Sequence, residues 1–158
     1  MKKVIYVELN TSRIRCVFDK YNKLCFDGKL PYPKISIFTS KHTLGRFTST
    51  FDDDNNMHDP IIEISDSYKY TKEKLEDIIV HEMIHYYLAY TKVDVYLTHK
   101  KPFKEMAKKL NKEHGLHITE EIDVKNMKRV KKDGWISKIW KEICKVDCAI
   151  NQGKVILR

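Results

Sequence analysis

The sequence predicts an α+β domain in which a small, mainly antiparallel sheet packs on helices. Short runs of alternating apolar and polar residues follow a first helical stretch, and a long helical pattern then extends from Thr71 to about Tyr90. The chain has 158 residues, of which 42% are hydrophobic, and this is enough for a single core. We therefore expect one core over residues 1–118 and a basic C-terminal extension over residues 119–158 that packs on or beside it.

The first half of the chain alternates turn signals with short apolar segments. Residues 2–8 predict a strand, and Asn10, Thr11 and Ser12 are candidates for the N-cap of the helix that follows. This helix should end near Gly28, because glycine readily adopts the left-handed cap conformation. Pro31 and Pro33 prevent this helix from continuing. Three short strands are then expected at residues 35–39, 47–51 and 61–65, with an acidic polar turn at residues 52–60 before the last.

The second half is predicted to be mainly helical. After the helix from Thr71, another should start at Pro102, a favoured first-turn residue, and end between Asn111 and Gly115. Beyond these, apolar residues at helical spacing predict a helix over residues 135–143, and a final strand is expected at residues 155–157.

Charge is distributed unevenly along the chain. Residues 1–98 contain 14 basic and 14 acidic residues, whereas residues 99–158 contain 16 and 8 and so carry the whole net charge of +8. A basic third on a neutral body is typical of a surface that faces a polyanion, although a lysine-rich solvated face gives the same pattern. No apolar run is long enough to cross a membrane, and the apolar stretch after Lys3 is too short for a secretory signal, so we expect a cytoplasmic protein.

The segment His81-Glu82-Met83-Ile84-His85 carries the chemistry that the sequence indicates. Two histidines four residues apart lie on one face of a helix, where both imidazoles can bind one Zn²⁺. Glu82 points in another direction, from which it can reach a water on the metal and take its proton. The alternative is a pair of core histidines that are hydrogen-bonded to backbone or carboxylate groups.

A catalytic zinc site needs a third protein ligand. His99 lies 14 residues after His85, and a loop of that length can turn the chain back toward the first two ligands. Glu105 on the following helix and Asp94 in the loop are alternatives, although Glu105 lies in a lysine-rich helix and has the features of a surface ion-pair partner. We expect His99 to be the third ligand.

Three blocks of the sequence resemble the SprT-like zinc metallopeptidase family, which includes the Spartan proteases. They are Phe26-Asp27-Gly28-Lys29-Leu30-Pro31, Leu44-Gly45-Arg46-Phe47, and the region from Ile61 through the HEMIH segment to His99 and Phe103. The resemblance covers about residues 12–112. It implies a zincin-like fold with an HExxH active-site helix and a third histidine ligand, here His99. Many relatives carry a C-terminal zinc ribbon, but the four cysteines of this sequence form no CxxC pair.

These observations predict a zinc-dependent endopeptidase in which His81, His85 and His99 hold Zn²⁺ and Glu82 is the general base. Its partners are expected to be protein or peptide substrates, and the family resemblance extends these to DNA-associated or DNA-crosslinked proteins. The alternative is a nucleic-acid-binding module with a structural zinc site and no proteolysis. In either case, the basic residues that could contact DNA phosphates are Lys125, Lys128, Arg129, Lys131 and Lys132.

Overall fold

The computed structural model of the chain describes residues 3–122 and 124–131, which form three helices and three strands. In chain order these elements are α1 (Thr11–Cys25), β1 (Lys34–Phe38), β2 (Gly45–Phe51), β3 (Met57–Ser65), α2 (Lys72–Tyr90) and α3 (Lys101–His114). The α+β class expected from the sequence is therefore confirmed. The helix expected at residues 135–143 and the strand at 155–157 lie outside the described residues.

The sheet is mixed, so the expectation of a mainly antiparallel sheet is wrong. The strand order is β1-β3-β2, in which β1 runs parallel to β3 and β2 runs antiparallel to it. β3 takes the central position, where the neighbouring strands form hydrogen bonds with the backbone groups along both of its edges. Its residues Ile62 and Ile64 are fully buried. Alternating apolar residues identify the strands but do not specify which pairs become neighbours.

Two boundaries also differ from the expected ones. Within residues 3–8 the only strand-like pairing is an isolated bridge between Val7 and Tyr70. β3 starts at Met57 instead of residue 61, because the acidic turn is narrower than expected. Asp52 closes that turn by accepting hydrogen bonds from the backbone N–H groups of Asp54 (3.0 Å) and Asn56 (2.8 Å).

Helix α2 lies at the centre of the fold and contacts α1, α3, β2 and β3. Its N-cap is Thr71, whose side chain accepts a hydrogen bond from the Lys74 N–H at 3.2 Å. Side chains on every face of the helix are buried, as expected for a helix surrounded by other elements. The His-Glu-Met-Ile-His segment therefore occupies the most enclosed element of the described chain.

Helix α3 and the segment after it both contact α2. The helix starts at Lys101, one residue before the expected Pro102, and it is capped at its C-terminal end by Gly115, whose φ of 65° is left-handed. Phe103 is among the residues that α3 buries. The chain then continues past the buried residues Leu116 and Ile118.

The boundary between residues 118 and 119 stays a prediction. Among the contacts of the described part of the extension with the core are two hydrogen bonds between backbone groups, from Lys69 to Lys128 (2.8 Å) and from Val130 to Ser67 (2.9 Å). Within residues 3–122 and 124–131, no helix combines the length and the apolar character that crossing a bilayer requires.

Candidate metal centre and active site

Three histidine side chains meet between α2 and the start of α3. His81 and His85 lie one turn apart on α2, and His99 approaches them from the loop that precedes α3. The Nε2 atom of His99 lies 3.1 Å from Nε2 of His81 and 3.0 Å from Nε2 of His85. All three residues offer a ligand atom within 4.8 Å of the others, and this is the spacing that a shared metal ion requires.

Burial keeps two of these imidazoles neutral at physiological pH. Desolvation lowers the pKa of His81 to about 4, and the neighbouring His99 contributes to this decrease. Desolvation likewise lowers the pKa of His85 to about 3, with His81 and His99 adding to the effect. A neutral imidazole has a free lone pair on one ring nitrogen, as metal binding requires.

The donor set of this site fits a zinc ion. Two nitrogens held by one tetrahedral zinc at the usual bond length lie about 3.3 Å apart, close to the observed separations. Among the described residues, His85 Nδ1 is a buried side-chain nitrogen without a hydrogen-bond partner. Three converging Nε2 atoms cannot all be satisfied by hydrogen bonds to one another, whereas one cation can accept a lone pair from each of them.

The aromatic ring of Phe103 supports the histidine cluster. Its centroid lies 4.8 Å from that of His81 and 4.7 Å from those of His85 and His99. Because Phe103 is fully buried on the first turn of α3, it joins the start of that helix to the cluster. The sequence predicts Phe103 on the buried face of this helix, and its burial confirms that prediction, whereas its contact with the three histidine rings was not expected.

The loop between α2 and α3 directs His99 toward the cluster. The Asp94 carboxylate accepts hydrogen bonds from the backbone N–H groups of Tyr96 and Thr98, each at 3.0 Å, and from the Thr98 hydroxyl. Desolvation opposes ionisation of Asp94, but these hydrogen bonds outweigh it and lower its pKa. Asp94, an alternative candidate for the third ligand, therefore serves to hold the loop that carries His99.

The other alternative ligand, Glu105, lies on the surface. Its side chain is 67% exposed and forms an ion pair with Lys101 at 3.7 Å, one helical turn earlier. Within the described chain, the group suited to hold a metal is made of His81, His85 and His99. The structure thus brings together the three predicted ligands and leaves both carboxylate alternatives outside the cluster.

Glu82 lies between α2 and the edge of the sheet. It is 5% exposed, and its carboxylate accepts a hydrogen bond from the backbone N–H of Phe47 on β2. Burial raises its pKa to about 8, although the hydrogen bond from Phe47 acts in the opposite direction. A carboxyl group with a pKa near neutrality can both accept and release a proton under physiological conditions.

Gly45 makes the close approach of Glu82 to β2 possible. A Cβ atom at this position would lie 3.0 Å from Glu82 Oε1 and 2.8 Å from Cγ2 of Ile78. A glycine inside a strand is a known signal of close approach by another group, and it could have indicated this contact from the sequence. No comparable sequence signal identifies the Phe47 N–H, because it belongs to the backbone.

The predicted basic surface lies on the described part of the extension. Lys125, Lys128, Arg129 and Lys131 are exposed, and Lys132 lies outside the described residues. The ammonium group of Lys128 lies 5.8 Å from the ring centroid of Tyr6. Arg129 forms an isolated bridge with Tyr68, and this attaches the segment to the core.

The fold and the site define a small α+β domain with a candidate three-histidine metal centre and a buried glutamate beside it. Comparison with family models gives a match to the SprT-like family over residues 14–125. The chain belongs to the SprT-like family, as its sequence blocks suggested. A comparison with curated proteins gave no significant match.

Proposed function

We propose that this protein is a zinc-dependent endopeptidase with a zincin-like active site on α2. The observation that carries the proposal is the convergence of three Nε2 atoms beside a buried glutamate that directly follows one of the histidines on the same helix. In this proposal His81, His85 and His99 hold the zinc ion. The bound ion would polarise the scissile carbonyl and acidify a water molecule.

Glu82 performs the proton transfers of the proposed reaction. Its carboxylate takes a proton from the attacking water and then delivers it to the amine that leaves when the peptide bond breaks. The backbone N–H of Phe47 orients the carboxylate, and the missing side chain of Gly45 gives it room. A nearby cation favours the ionised carboxylate, which offsets the effect of burial on its pKa.

Strand β2 offers a surface for an extended substrate. It is an edge strand of the described sheet, and Phe47, whose N–H contacts Glu82, lies within it. An extended peptide can pair with an exposed strand edge through main-chain hydrogen bonds, and these require no particular side chains. Such pairing would bring a scissile bond close to Glu82 and would favour protein substrates over small molecules.

The test of this function is the zinc content and peptidase activity of Glu82→Gln. We expect the variant to retain zinc and to lose about 10²–10⁴-fold in kcat, because the amide cannot take a proton from water. Glu105→Gln is the matched control, since this exposed glutamate forms an ion pair with Lys101 on the surface of α3. Equal cleavage by Glu82→Gln and the wild-type protein would show that the assigned mechanism is wrong.

Nucleic-acid binding is the second function that we propose, either alongside proteolysis or in place of it. Its support is the exposed segment of Lys128, Arg129 and Lys131 next to the aromatic ring of Tyr6. Substituting Lys128 and Arg129 by glutamate should weaken binding to single-stranded DNA and reduce its salt dependence. Peptidase assays with and without the DNA then distinguish a DNA-activated enzyme from an independent one.

A structural zinc site is the remaining alternative, and coordination separates it from the enzyme. A structural site has four protein ligands, whereas a catalytic site keeps one position for water. The metal-binding group found among the described residues has three members, and this favours the enzyme. X-ray absorption of the zinc-loaded protein measures the number of ligands, and a fourth protein ligand would favour the binding module.

A further inference from the structure

The segment that follows α3 contacts the histidine cluster at the Nδ1 atom of His81. Residues 116–119, here called the strap, end at Thr119, whose carbonyl oxygen lies 2.9 Å from Nδ1 of His81. A carbonyl oxygen can only accept a hydrogen bond, so His81 must be the donor. The single ring proton of neutral His81 is therefore on Nδ1, and the Nε2 lone pair is directed at the cluster.

Two polar side chains hold the strap in this position. Asp77 lies one helical turn before His81 on α2, and its Oδ1 accepts a hydrogen bond from the backbone N–H of His117 at 2.9 Å. Asn111 on α3 contacts both backbone groups of Ile118. Its Oδ1 accepts from the N–H at 2.8 Å, and its Nδ2 donates to the carbonyl at 2.9 Å.

The strap is also anchored by its apolar side chains. Leu116 and Ile118 are 7% and 5% exposed, so alternate residues of the strap face the core. Apolar burial alone does not determine the rotation of each peptide unit. The three hydrogen bonds to Asp77 and Asn111 supply that constraint, and they involve the two residues directly before Thr119.

We propose that Asp77 and Asn111 are positioning residues that set the tautomer of His81 through the strap. By holding the residues next to Thr119, they direct its carbonyl group at Nδ1 and leave Nε2 free to bind metal. This proposal rests on the proposed zinc site and adds to it the groups that prepare one of its ligands. Partners of this kind typically change metal affinity by about 10–100-fold when they are removed.

His85 provides an internal comparison within the same cluster. Its Nδ1 is buried and has no hydrogen-bond partner among the described residues, so no equivalent contact sets its tautomer. Loosening the strap should therefore change the proton position on His81 and leave His85 as it was. General damage to the core would affect both rings, because they lie on the same helix and share the contact with Phe103.

The experiment measures the ring tautomers in the metal-free full-length chain by long-range proton–nitrogen NMR of labelled histidines. In the wild-type protein we expect the His81 proton on Nδ1. In Asn111→Ala we expect a mixture of tautomers and a zinc dissociation constant about 10–100-fold higher in chelator competition. Asn126→Ala is the matched control, because it makes the same substitution at an exposed asparagine outside the strap.

Asp77 supplies a second pair of variants. Asp77→Asn keeps an amide oxygen that can accept from the His117 N–H, so its tautomer and zinc affinity should remain near those of the wild type. Asp77→Leu removes the acceptor, keeps a side chain of similar shape and should resemble Asn111→Ala. A difference between these two substitutions at one position would show that the hydrogen bond, and not the packing volume, controls His81.

Two results would overturn the proposal. One is a wild-type His81 that carries its proton on Nε2, and this result needs no variant to fold. The other is a folded Asn111→Ala in which both the tautomer and the zinc affinity match the wild type. Neither measurement involves proteolysis, so a protein with the expected tautomer that binds zinc but cleaves no peptide would refute the proposed function alone.

Discussion

Replacing Gly45 by alanine tests whether the edge of the sheet positions Glu82. The added Cβ would lie 3.0 Å from Glu82 Oε1, 3.2 Å from its Cγ and 2.8 Å from Cγ2 of Ile78. Ordinary contacts of this kind begin near 3.4 Å, so both side chains must move away from β2 by several tenths of an ångström. Gly45 has no positive φ, and its backbone therefore accepts alanine without strain.

The expected loss of stability is the difference between two effects. Overpacking a well-packed core costs about 1–3 kcal/mol. Alanine also restricts the unfolded chain relative to glycine, which stabilises the fold by about 0.4–1 kcal/mol. The balance is a destabilisation of about 1–2 kcal/mol, which corresponds to a decrease in Tm of about 2–8 °C for a chain of this size.

The expected loss of activity is larger than the loss of stability suggests. A displacement of about 1 Å in a reacting group can cost about 10²-fold in rate, so a shift of several tenths should lower kcat about tenfold. The three atoms nearest to the added Cβ belong to Ile78 and Glu82 and not to the histidines, so zinc affinity should stay unchanged. The assay is kcat and KM for a peptide substrate, together with zinc content and Tm.

Gly28→Ala is the matched control for this substitution. Gly28 has a φ of 68°, and no atom lies within 4 Å of the position that a Cβ would take, so alanine there introduces backbone strain without any contact. We expect it to lower Tm while leaving kcat unchanged. If Gly45→Ala cleaves as fast as the wild-type protein, or if both substitutions lower kcat equally, the argument that Gly45 positions Glu82 is refuted.

Three further outcomes are expected. Zinc at 100 times its dissociation constant should stabilise the protein by about 2.7 kcal/mol and raise the Tm measured by thermal unfolding by about 5–10 °C. A chelator should reverse this increase, and His99→Ala should reduce it. Asp94→Ala should weaken zinc binding about tenfold in chelator competition without loss of helix, because the loop that carries His99 loses three hydrogen bonds to the carboxylate. For the metal-free chain, denaturant unfolding from pH 5 to 8 should show a stability maximum near pH 6.5. Folding lowers the pKa of His81 from 6.5 to about 4 and that of His85 from 6.5 to about 3, so their contribution to the free energy of unfolding decreases as the pH falls below 6.5. Folding raises the pKa of Glu82 from 4.5 to about 8, so its contribution decreases as the pH rises. A flat profile would contradict this assignment.

The helices could be predicted from the sequence because their signals are local. The expected helix from Thr71 to about Tyr90 matches α2, and the cap residues Asn10 and Gly115 act at the helix ends as their types suggest. The strands were found only in part, since the order β1-β3-β2 depends on contacts between distant segments. The paired histidines on α2 follow from helix geometry alone, whereas the position of His99 depends on a loop that the sequence does not specify.

The sequence by itself determined that His81 and His85 share one helix face with Glu82 beside them, because a helical repeat places residues four apart on the same side. Only the tertiary structure decided that His99, and not Asp94 or Glu105, joins them. The same holds for the groups that prepare the site, namely the backbone N–H of Phe47 on Glu82 and the carbonyl of Thr119 on His81. Backbone groups are the same in every residue, so their positions become visible only when distant segments pack against each other.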